Sequence, residues 1–176
     1  MNILDIIDNI KVKTIYGNLP ESVNNISQDS RKVGEGDVFV AIKGYTVDGH
    51  NYIEKVIEQG AALVIASRYE NYNVENCAVI VIKEHEIEKI ASMIAKKINE
   101  GSDVHTVAVT GTNGKTSIST LVHNMLRTLG ESSAYIGTNG FGKNDAEPVY
   151  FGNTTPDVVT LHNQIGELRR ENIKNL

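Results

Sequence analysis

Apolar residues along this chain occur in short continuous runs and in longer stripes at helical spacing. The runs Asp37–Ile42, Ala61–Ala66 and Ala78–Ile82 have the length and composition of strands. Residues Tyr52–Gln59 and Glu84–Asn99 place apolar side chains along one face and charged side chains along the other, which predicts amphipathic helices. Strands that alternate with helices predict an α/β fold.

The first ten residues carry a stripe of their own, formed by Ile3, Ile6, Ile7 and Ile10. This spacing predicts a short amphipathic helix. Asp5 and Asp8 interrupt the stripe and no basic residues precede it, so the segment does not have the pattern of a signal peptide. The sequence contains no window of the roughly 18–20 apolar residues that a membrane-spanning helix needs. We therefore expect no membrane association.

A polar, glycine-containing segment, Asn99–Asp103, follows these elements and is the best candidate for a linker. After it come a predicted strand, Val104–Thr110, a glycine loop and a long helix that Gly130 ends. One side of that helix is apolar and consists of Ile118, Leu121, Val122, Met125, Leu126 and Leu129. This organisation predicts two domains, residues 1–103 and 104–176.

The last part of the chain contains one short apolar run and a clear helix start. Ala134–Ile136 is a candidate strand, and Thr138–Gly152 is rich in glycine and asparagine, which predicts a loop. Thr155-Pro156-Asp157 then predicts a helix with Thr155 as the N-cap, Pro156 at the first helical position and Asp157 at the positive end of the dipole. We expect this helix to continue to the end of the chain.

The segment Gly111–Ser117, between the predicted strand and the long helix, has the composition of a phosphate-binding loop. Glycines allow backbone N–H groups to converge on a phosphate, and the helix N-terminus adds partial positive charge. Lys115 could reach phosphate oxygens, and the hydroxyl of Thr116 could bind Mg²⁺. The usual loop would have a glycine at position 109, where this chain has Val109, so Gly111 makes the early turn of a variant loop.

Composition narrows the possible classes of function. The net charge of -5 argues against nucleic-acid binding, which normally requires a basic domain. The single cysteine, Cys77, precedes an apolar run, so we interpret it as a small buried side chain in a cytoplasmic protein. Metal-ligand spacing is absent from the five histidines, which we interpret as structural or surface residues.

Three further clusters admit both a structural and a functional interpretation. Asp29-Ser30-Arg31 is either a turn before a strand or a ligand contact through Ser30. The loop Lys43–His50 is either a plain surface loop or a site where Tyr45 stacks on a base. Asn153-Thr154-Thr155-Pro156 is either a helix cap or an anion-binding site at a helix N-terminus.

Together, these segments resemble the Mur ligases, the ATP-dependent ligases of peptidoglycan precursor synthesis. Within that family the chain is most similar to the branch that adds the third amino acid to UDP-MurNAc-L-Ala-D-Glu. The resemblance extends over essentially the whole chain and is carried by Asp29–Arg31, Asp37–Gly44, Asp48–His50, Thr110–Ser117, Gly137-Thr138 and Asn153–Pro156.

The resemblance implies a role for each candidate site. It implies an ATP-binding loop formed by Gly111, Thr112, Asn113, Gly114, Lys115, Thr116 and Ser117, with Lys115 catalytic and Thr116 a Mg²⁺ ligand. It implies that the UDP-MurNAc portion is bound by Ser30, Tyr45, Thr46 and Val47. It implies that the dipeptide end is bound by Asn153, Thr154 and Thr155.

The resemblance also implies the reaction and its organisation. ATP would phosphorylate the D-Glu carboxylate, and the amine of diaminopimelate or L-lysine would displace phosphate from the acyl phosphate. Residues 1–103 would be a small α/β domain that binds UDP-MurNAc, and residues 104–176 the first part of a mainly parallel-sheet ATPase domain. Family members have three domains, so we expect this chain to be an N-terminal fragment, monomeric and inactive alone. The alternatives are a ligase that adds D-Ala-D-Ala and a UDP-sugar-binding module without turnover.

Overall fold

A computed structural model of the chain describes residues 14–44, 47–101, 103–144, 146–150 and 154–176. The helix predicted at residues 1–10 lies outside these ranges. The chain divides into two compact units, Met1–Asn99 and Glu100–Leu176, and each is described by itself.

A five-stranded sheet forms the centre of the first unit. Its strands are β1 (Thr14–Tyr16), β2 (Ile26–Ser27), β3 (Val38–Val40), β4 (Leu63–Ala66) and β5 (Ala78–Val81). They lie in the order β1-β5-β4-β3-β2, with β1 antiparallel to its neighbour and the other pairs parallel. The predicted strands at 37–42, 61–66 and 78–82 are confirmed with shorter ends, and the parallel sheet confirms the predicted α/β class. The patterns did not predict β1 and β2.

Two helices follow the sheet strands of this unit. They are α1 (Ile53–Glu58), preceded by a 3₁₀ turn at Gly49–Tyr52, and α2 (Ile87–Ile98), preceded by one at Glu84–Glu86. The predicted apolar stripe of α2 is buried at five positions, Ile87, Ile90, Ala91, Ile94 and Ala95, and half-buried at the sixth, Ile98. Both predicted helices are therefore confirmed.

The core of the first unit includes Cys77, which is 2% exposed. Burial raises the pKa of its thiol to about 11, so the group is neutral at physiological pH. Phe39, Val64 and Val79, from three adjacent strands, belong to the same apolar cluster. Cys77 is thus a buried apolar side chain, as predicted.

The second unit contains two helices and a hairpin. Its elements are α3 (Lys115–Thr128), β6 (Ala134–Gly137), β7 (Gly140–Lys143) and α4 (Val158–Arg170). Strands β6 and β7 pair antiparallel. The loop prediction for Thr138–Gly152 is wrong over β7, because Phe141 is 2% exposed and its backbone bonds to Val149. Apolar side chains from the hairpin, from α4 and from the segment after α4 pack together as Ala134, Phe141, Leu168 and Ile173.

The predicted strand Val104–Thr110 is extended chain with a short parallel pairing. Its His105 N–H donates to the carbonyl of Lys174 at 2.7 Å, and the N–H of Val107 donates to the carbonyl of Leu176 at 2.8 Å. The side chain of Val107 is 71% exposed. Because residues 174–176 are its pairing partner in the described chain, the pairing is too short to form a regular strand.

The last helix starts and ends differently from the prediction. Asp157, in an extended conformation, is the N-cap, and its Oδ1 accepts from the N–H of Thr160 at 2.9 Å. Thr155 is therefore not the N-cap, because the carboxylate two residues later takes this position. Helix α4 ends at Arg170, and Asn172 has a φ of +56°, which turns the chain into the extended segment 174–176.

The apolar side of α3 faces outward in this unit. Leu121 is 59% exposed, Met125 56% and Leu129 76%. Within the residues that the structure describes, none of the helices is both long and apolar enough to cross a bilayer.

Candidate functional site

The glycine loop before α3 has the backbone shape that its composition predicts. Gly111 has a φ of +145° and Gly114, the N-cap of α3, a φ of +81°. Both angles are unfavourable for residues with a Cβ atom. The loop therefore leads directly into the N-terminus of a helix of 14 residues, where backbone N–H groups and the helix dipole favour an anion.

Lys115, the first residue of α3, folds back over this loop. Its Nζ donates to the carbonyl oxygen of Gly111 at 2.6 Å and lies 3.4 Å from that of Thr112. Backbone carbonyl oxygens therefore hold the ammonium group at the loop. In this position it can neutralise negative charge on a phosphate that the loop binds.

The next residue, Thr116, begins a chain of three hydroxyl groups. Its Oγ1 donates to Oγ1 of Thr138 at 3.3 Å, and Oγ1 of Thr138 lies 3.2 Å from Oγ1 of Thr154. The sequence predicted functional roles for Thr116 and Thr154 but none for Thr138. The structure therefore connects the glycine loop to one predicted dipeptide contact.

Four of the other candidate site residues in this unit are exposed. Thr112, Asn113 and Ser117 are exposed in or next to the glycine loop. Thr155 is exposed as well, beside the buried Pro156. Asn153 lies outside the described residues.

Within the described ranges, no group of three His, Cys, Asp or Glu side chains is placed to hold a metal ion. Mg²⁺ in nucleotide sites is bound by few protein oxygens, because phosphates and waters supply the other ligands. The half-buried hydroxyl of Thr116, next to the glycine loop, fits this type of site.

In the first unit, Ser30 lies in a turn that an ion pair holds. Arg31 donates from Nε and Nη2 to the Asp29 carboxylate, both at 2.8 Å. The hydrogen bonds from Arg31 lower the pKa of Asp29 to about 2. Ser30 itself is 9% exposed, so it is largely buried within this turn.

The loop that the sequence predicted to hold a base is a tight reversal. The Gly44 N–H donates to the carbonyl of Val47 at 2.9 Å, and the backbones of Lys43 and Asp48 form an isolated antiparallel β-bridge. The side chain of Val47 is 51% exposed. Tyr45 and Thr46 lie outside the described residues.

Directly after this reversal, Asp48 and His50 form a network that pattern reasoning did not find. Oδ1 of Asp48 accepts from the backbone N–H of His50 at 3.0 Å and lies 2.7 Å from its Nδ1. Arg68 donates to Oδ2 of the same carboxylate at 3.1 Å. These contacts, led by the backbone hydrogen bond, lower the pKa of Asp48 to about 2. The spacing Asp-Gly-His was visible in the sequence, but its partners come from residues 67 and 68.

Comparison with known families matches almost the whole chain. Residues 22–107 match the model of the Mur ligase family, catalytic domain, and residues 109–176 match the Mur ligase middle domain.

Two curated relatives illustrate the similarity. The chain is 40% identical over 174 residues to UDP-N-acetylmuramoyl-L-alanyl-D-glutamate--L-lysine ligase of Staphylococcus haemolyticus, a match to 98% of this chain and 34% of the relative. It is 34% identical over 177 residues to UDP-N-acetylmuramyl-tripeptide synthetase 2 of Oceanobacillus iheyensis, a match to 100% of this chain and 36% of the relative. The chain thus spans about a third of the length of these relatives.

Solved structures have the same fold. UDP-N-acetylmuramoyl-L-alanyl-D-glutamate--2,6-diaminopimelate ligase superposes with a TM-score of 0.75 at 23% identity, over 99% of this chain and 34% of the other. The MurF ligase of Thermotoga maritima, solved in complex with ADP, superposes with a TM-score of 0.53 at 24% identity, over 81% of this chain and 35% of the other.

Proposed function

Because the chain belongs to the Mur ligase family, we propose that it forms the UDP-MurNAc-binding and ATP-binding parts of a ligase of peptidoglycan synthesis. The enzyme adds diaminopimelate or L-lysine to UDP-MurNAc-L-Ala-D-Glu. The observation that carries the proposal is the glycine loop with Lys115 folded over it and Thr116 joined through Thr138 to Thr154. Named relatives at 40% identity support this substrate class.

In this proposal Gly111–Ser117 binds the phosphates of ATP. The left-handed angles at Gly111 and Gly114 let backbone N–H groups approach the phosphate oxygens. Lys115 exchanges its bonds to the loop carbonyls for bonds to phosphate and so neutralises charge during transfer. The Thr116 hydroxyl is the protein ligand for Mg²⁺, which supplies further charge neutralisation when bound.

Two separate sets of residues are assigned to two portions of the nucleotide sugar. In the first unit, residues 1–103 in the proposed domain division, Ser30 and the loop of Tyr45, Thr46 and Val47 bind the UDP-MurNAc portion. In the second unit, residues 104–176, the dipeptide end is bound by Asn153, Thr154 and Thr155. The exposed side chain of Val47 supports the first assignment. The contact between Thr154 and Thr138 supports the second.

The proposed reaction proceeds in two steps. An oxygen of the D-Glu carboxylate attacks the γ-phosphorus of ATP, which gives an acyl phosphate and ADP. The amine of the incoming amino acid then attacks the acyl carbon and displaces inorganic phosphate, and the amine loses a proton. The chain's own contribution is positioning and charge neutralisation, which are the main catalytic terms in phosphoryl transfer.

Calorimetry on the chain tests the proposal. We expect it to bind UDP-MurNAc-L-Ala-D-Glu more tightly than UDP alone, and to bind the ATP analogue AMP-PNP more tightly with Mg²⁺ than with EDTA. A chain that binds neither ligand would contradict the proposal. Tight binding of UDP without any gain from the muramyl dipeptide would remove the assignment of Thr154 and Thr155.

A further inference from the structure

Thr138 lies between the hydroxyls of Thr116 and Thr154 and contacts both. Its Oγ1 accepts a hydrogen from Thr116 at 3.3 Å and lies 3.2 Å from Oγ1 of Thr154. The side chain is exposed, so it does not contribute to the core of the second unit. Its clearest described contacts are therefore the two hydroxyls.

The backbone at Thr138 is well determined by its neighbours. Thr138 is the first residue of the two-residue turn between β6 and β7, and Gly137 pairs with Gly140 across the hairpin. Gly140 has a φ of +94°, and a Cβ there would lie 2.6 Å from the carbonyl oxygen of Val149. Strand pairing on both sides and the close contact at Gly140 hold the turn in place. The backbone position from which the Thr138 side chain extends is therefore fixed.

The hydrogen bonds between the three threonine hydroxyls run in one direction, from Thr116 towards Thr154. A hydroxyl has one hydrogen and two lone pairs. Thr116 uses its hydrogen for Thr138, so its lone pairs are available to a cation. Thr138 accepts that hydrogen and can give its own to Thr154, which leaves the Thr154 hydrogen for an anionic group. A positive charge next to Thr116 strengthens each hydrogen bond in this series of hydroxyls, because hydrogen bonds in series polarise one another.

We propose that Thr138 is a positioning residue that couples occupancy of the nucleotide loop, at Thr116, to binding of a carboxylate beside Thr154. The inference rests on the proposed function, in which the carboxylate is that of the acceptor dipeptide. Coupling between two binding sites is reciprocal. Nucleotide with Mg²⁺ therefore raises the affinity for the acceptor, and the acceptor raises the affinity for the nucleotide by the same factor.

The test is a calorimetric measurement of this factor. Mg²⁺ with AMP-PNP is titrated into the free chain and into the chain saturated with UDP-MurNAc-L-Ala-D-Glu. We expect the acceptor to raise nucleotide affinity by about five-fold or more, the lower end of typical coupling. Thr138→Val keeps the branched shape without the hydroxyl, so the factor should fall to nearly one. Thr138→Ser, which keeps the hydroxyl, should restore it.

The control is Thr128→Val, which removes a hydroxyl that donates to the Asn124 carbonyl within α3 and should keep the wild-type factor. Circular dichroism verifies the fold of each variant, and Thr138→Ala provides a second removal of the hydroxyl. A wild-type factor in Thr138→Val and Thr138→Ala, or its loss in Thr138→Ser, overturns the inference. Wild-type chain that binds both ligands without coupling overturns the inference alone, whereas binding of neither overturns the proposed function too.

Discussion

The Nε2 atom of His50 lies 3.1 Å from the backbone nitrogen of Ser67, so the imidazole accepts the Ser67 amide hydrogen at this atom. The neutral ring then carries its hydrogen on Nδ1, which lies 2.7 Å from Oδ1 of Asp48. His50 is 3% exposed. One buried ring therefore joins the chain reversal after β3 to the residue that follows β4.

Replacement of His50 by alanine should destabilise the first unit. The Ser67 amide loses its acceptor, and we expect the free energy of unfolding to fall by about 1–3 kcal/mol, the usual cost of an unsatisfied buried group. Urea unfolding followed by circular dichroism measures the change. His85→Ala is the matched control, because His85 is exposed in the 3₁₀ turn before α2. Equal losses in the two variants would show that the His50 network does not stabilise the fold.

Asp48 should make stability depend on pH in the acid range. Its pKa is lowered from 3.8 to about 2, mainly by the backbone hydrogen bond from His50. Because the folded pKa lies below the unfolded value, the carboxylate stabilises the folded chain above pH 3.8, and this contribution is lost as the pH falls towards about 2. Asp48→Asn should therefore melt below wild type at neutral pH, and the two melting temperatures should converge in acid. A constant difference across this range would contradict the assignment.

Lys115→Ala should weaken nucleotide binding. The variant loses the ammonium group that lies 2.6 Å from the Gly111 carbonyl, and we expect at least about a ten-fold lower affinity for Mg²⁺ with AMP-PNP, since hydrogen bonds to charged groups contribute about 1.5–3 kcal/mol. Lys89→Ala is the control, because Lys89 is an exposed residue of α2 in the other unit. Calorimetry compares the two, and unchanged affinity in Lys115→Ala would argue against a role in phosphate binding.

Limited proteolysis should separate the two units. We expect a broadly specific protease to cut first between residues 99 and 103, where Glu100, Gly101 and Asp103 are exposed. The sequence predicted a loop at Thr138–Gly152, which would also be open to cleavage, but β7 protects residues 140–143. Mass spectrometry of the early fragments locates the cut. A first cut inside β7, or one resistant core without cleavage, would contradict this prediction.

The regular elements of the first unit were predictable because their apolar patterns are long or continuous. Helix α2 shows five buried positions at helical spacing, and β4 and β5 are uninterrupted apolar runs. Strands β1 and β2 were not predictable, because they contain three and two residues and, unlike the equally short β3, do not lie within a longer apolar run. A pattern with a period of two residues cannot be detected in so short a segment.

In the second unit, local signals competed or were overruled by pairing. Thr155 and Asp157 are both good N-caps, and the sequence does not show which residue adopts the extended conformation that the cap requires. Val104–Thr110 has a strand composition, yet a strand also needs a partner of matching length. The glycine loop was predictable because its backbone shape depends on Gly111 and Gly114, which are close together in the sequence. Thr138 was not, because its contacts with Thr116 and Thr154 arise only when the β6–β7 hairpin forms.

The pairing of His105 and Val107 with residues 174–176 has a consequence for the order of folding during synthesis. The five described strands of the first unit lie between residues 14 and 81, so this sheet can form while the rest of the chain is still being translated. The second unit cannot close its earliest segment until the ribosome has released residue 176, some 70 residues later. During that interval the chain carries a finished unit followed by an open one. The apolar segments that stay exposed during this interval therefore belong mainly to the second unit.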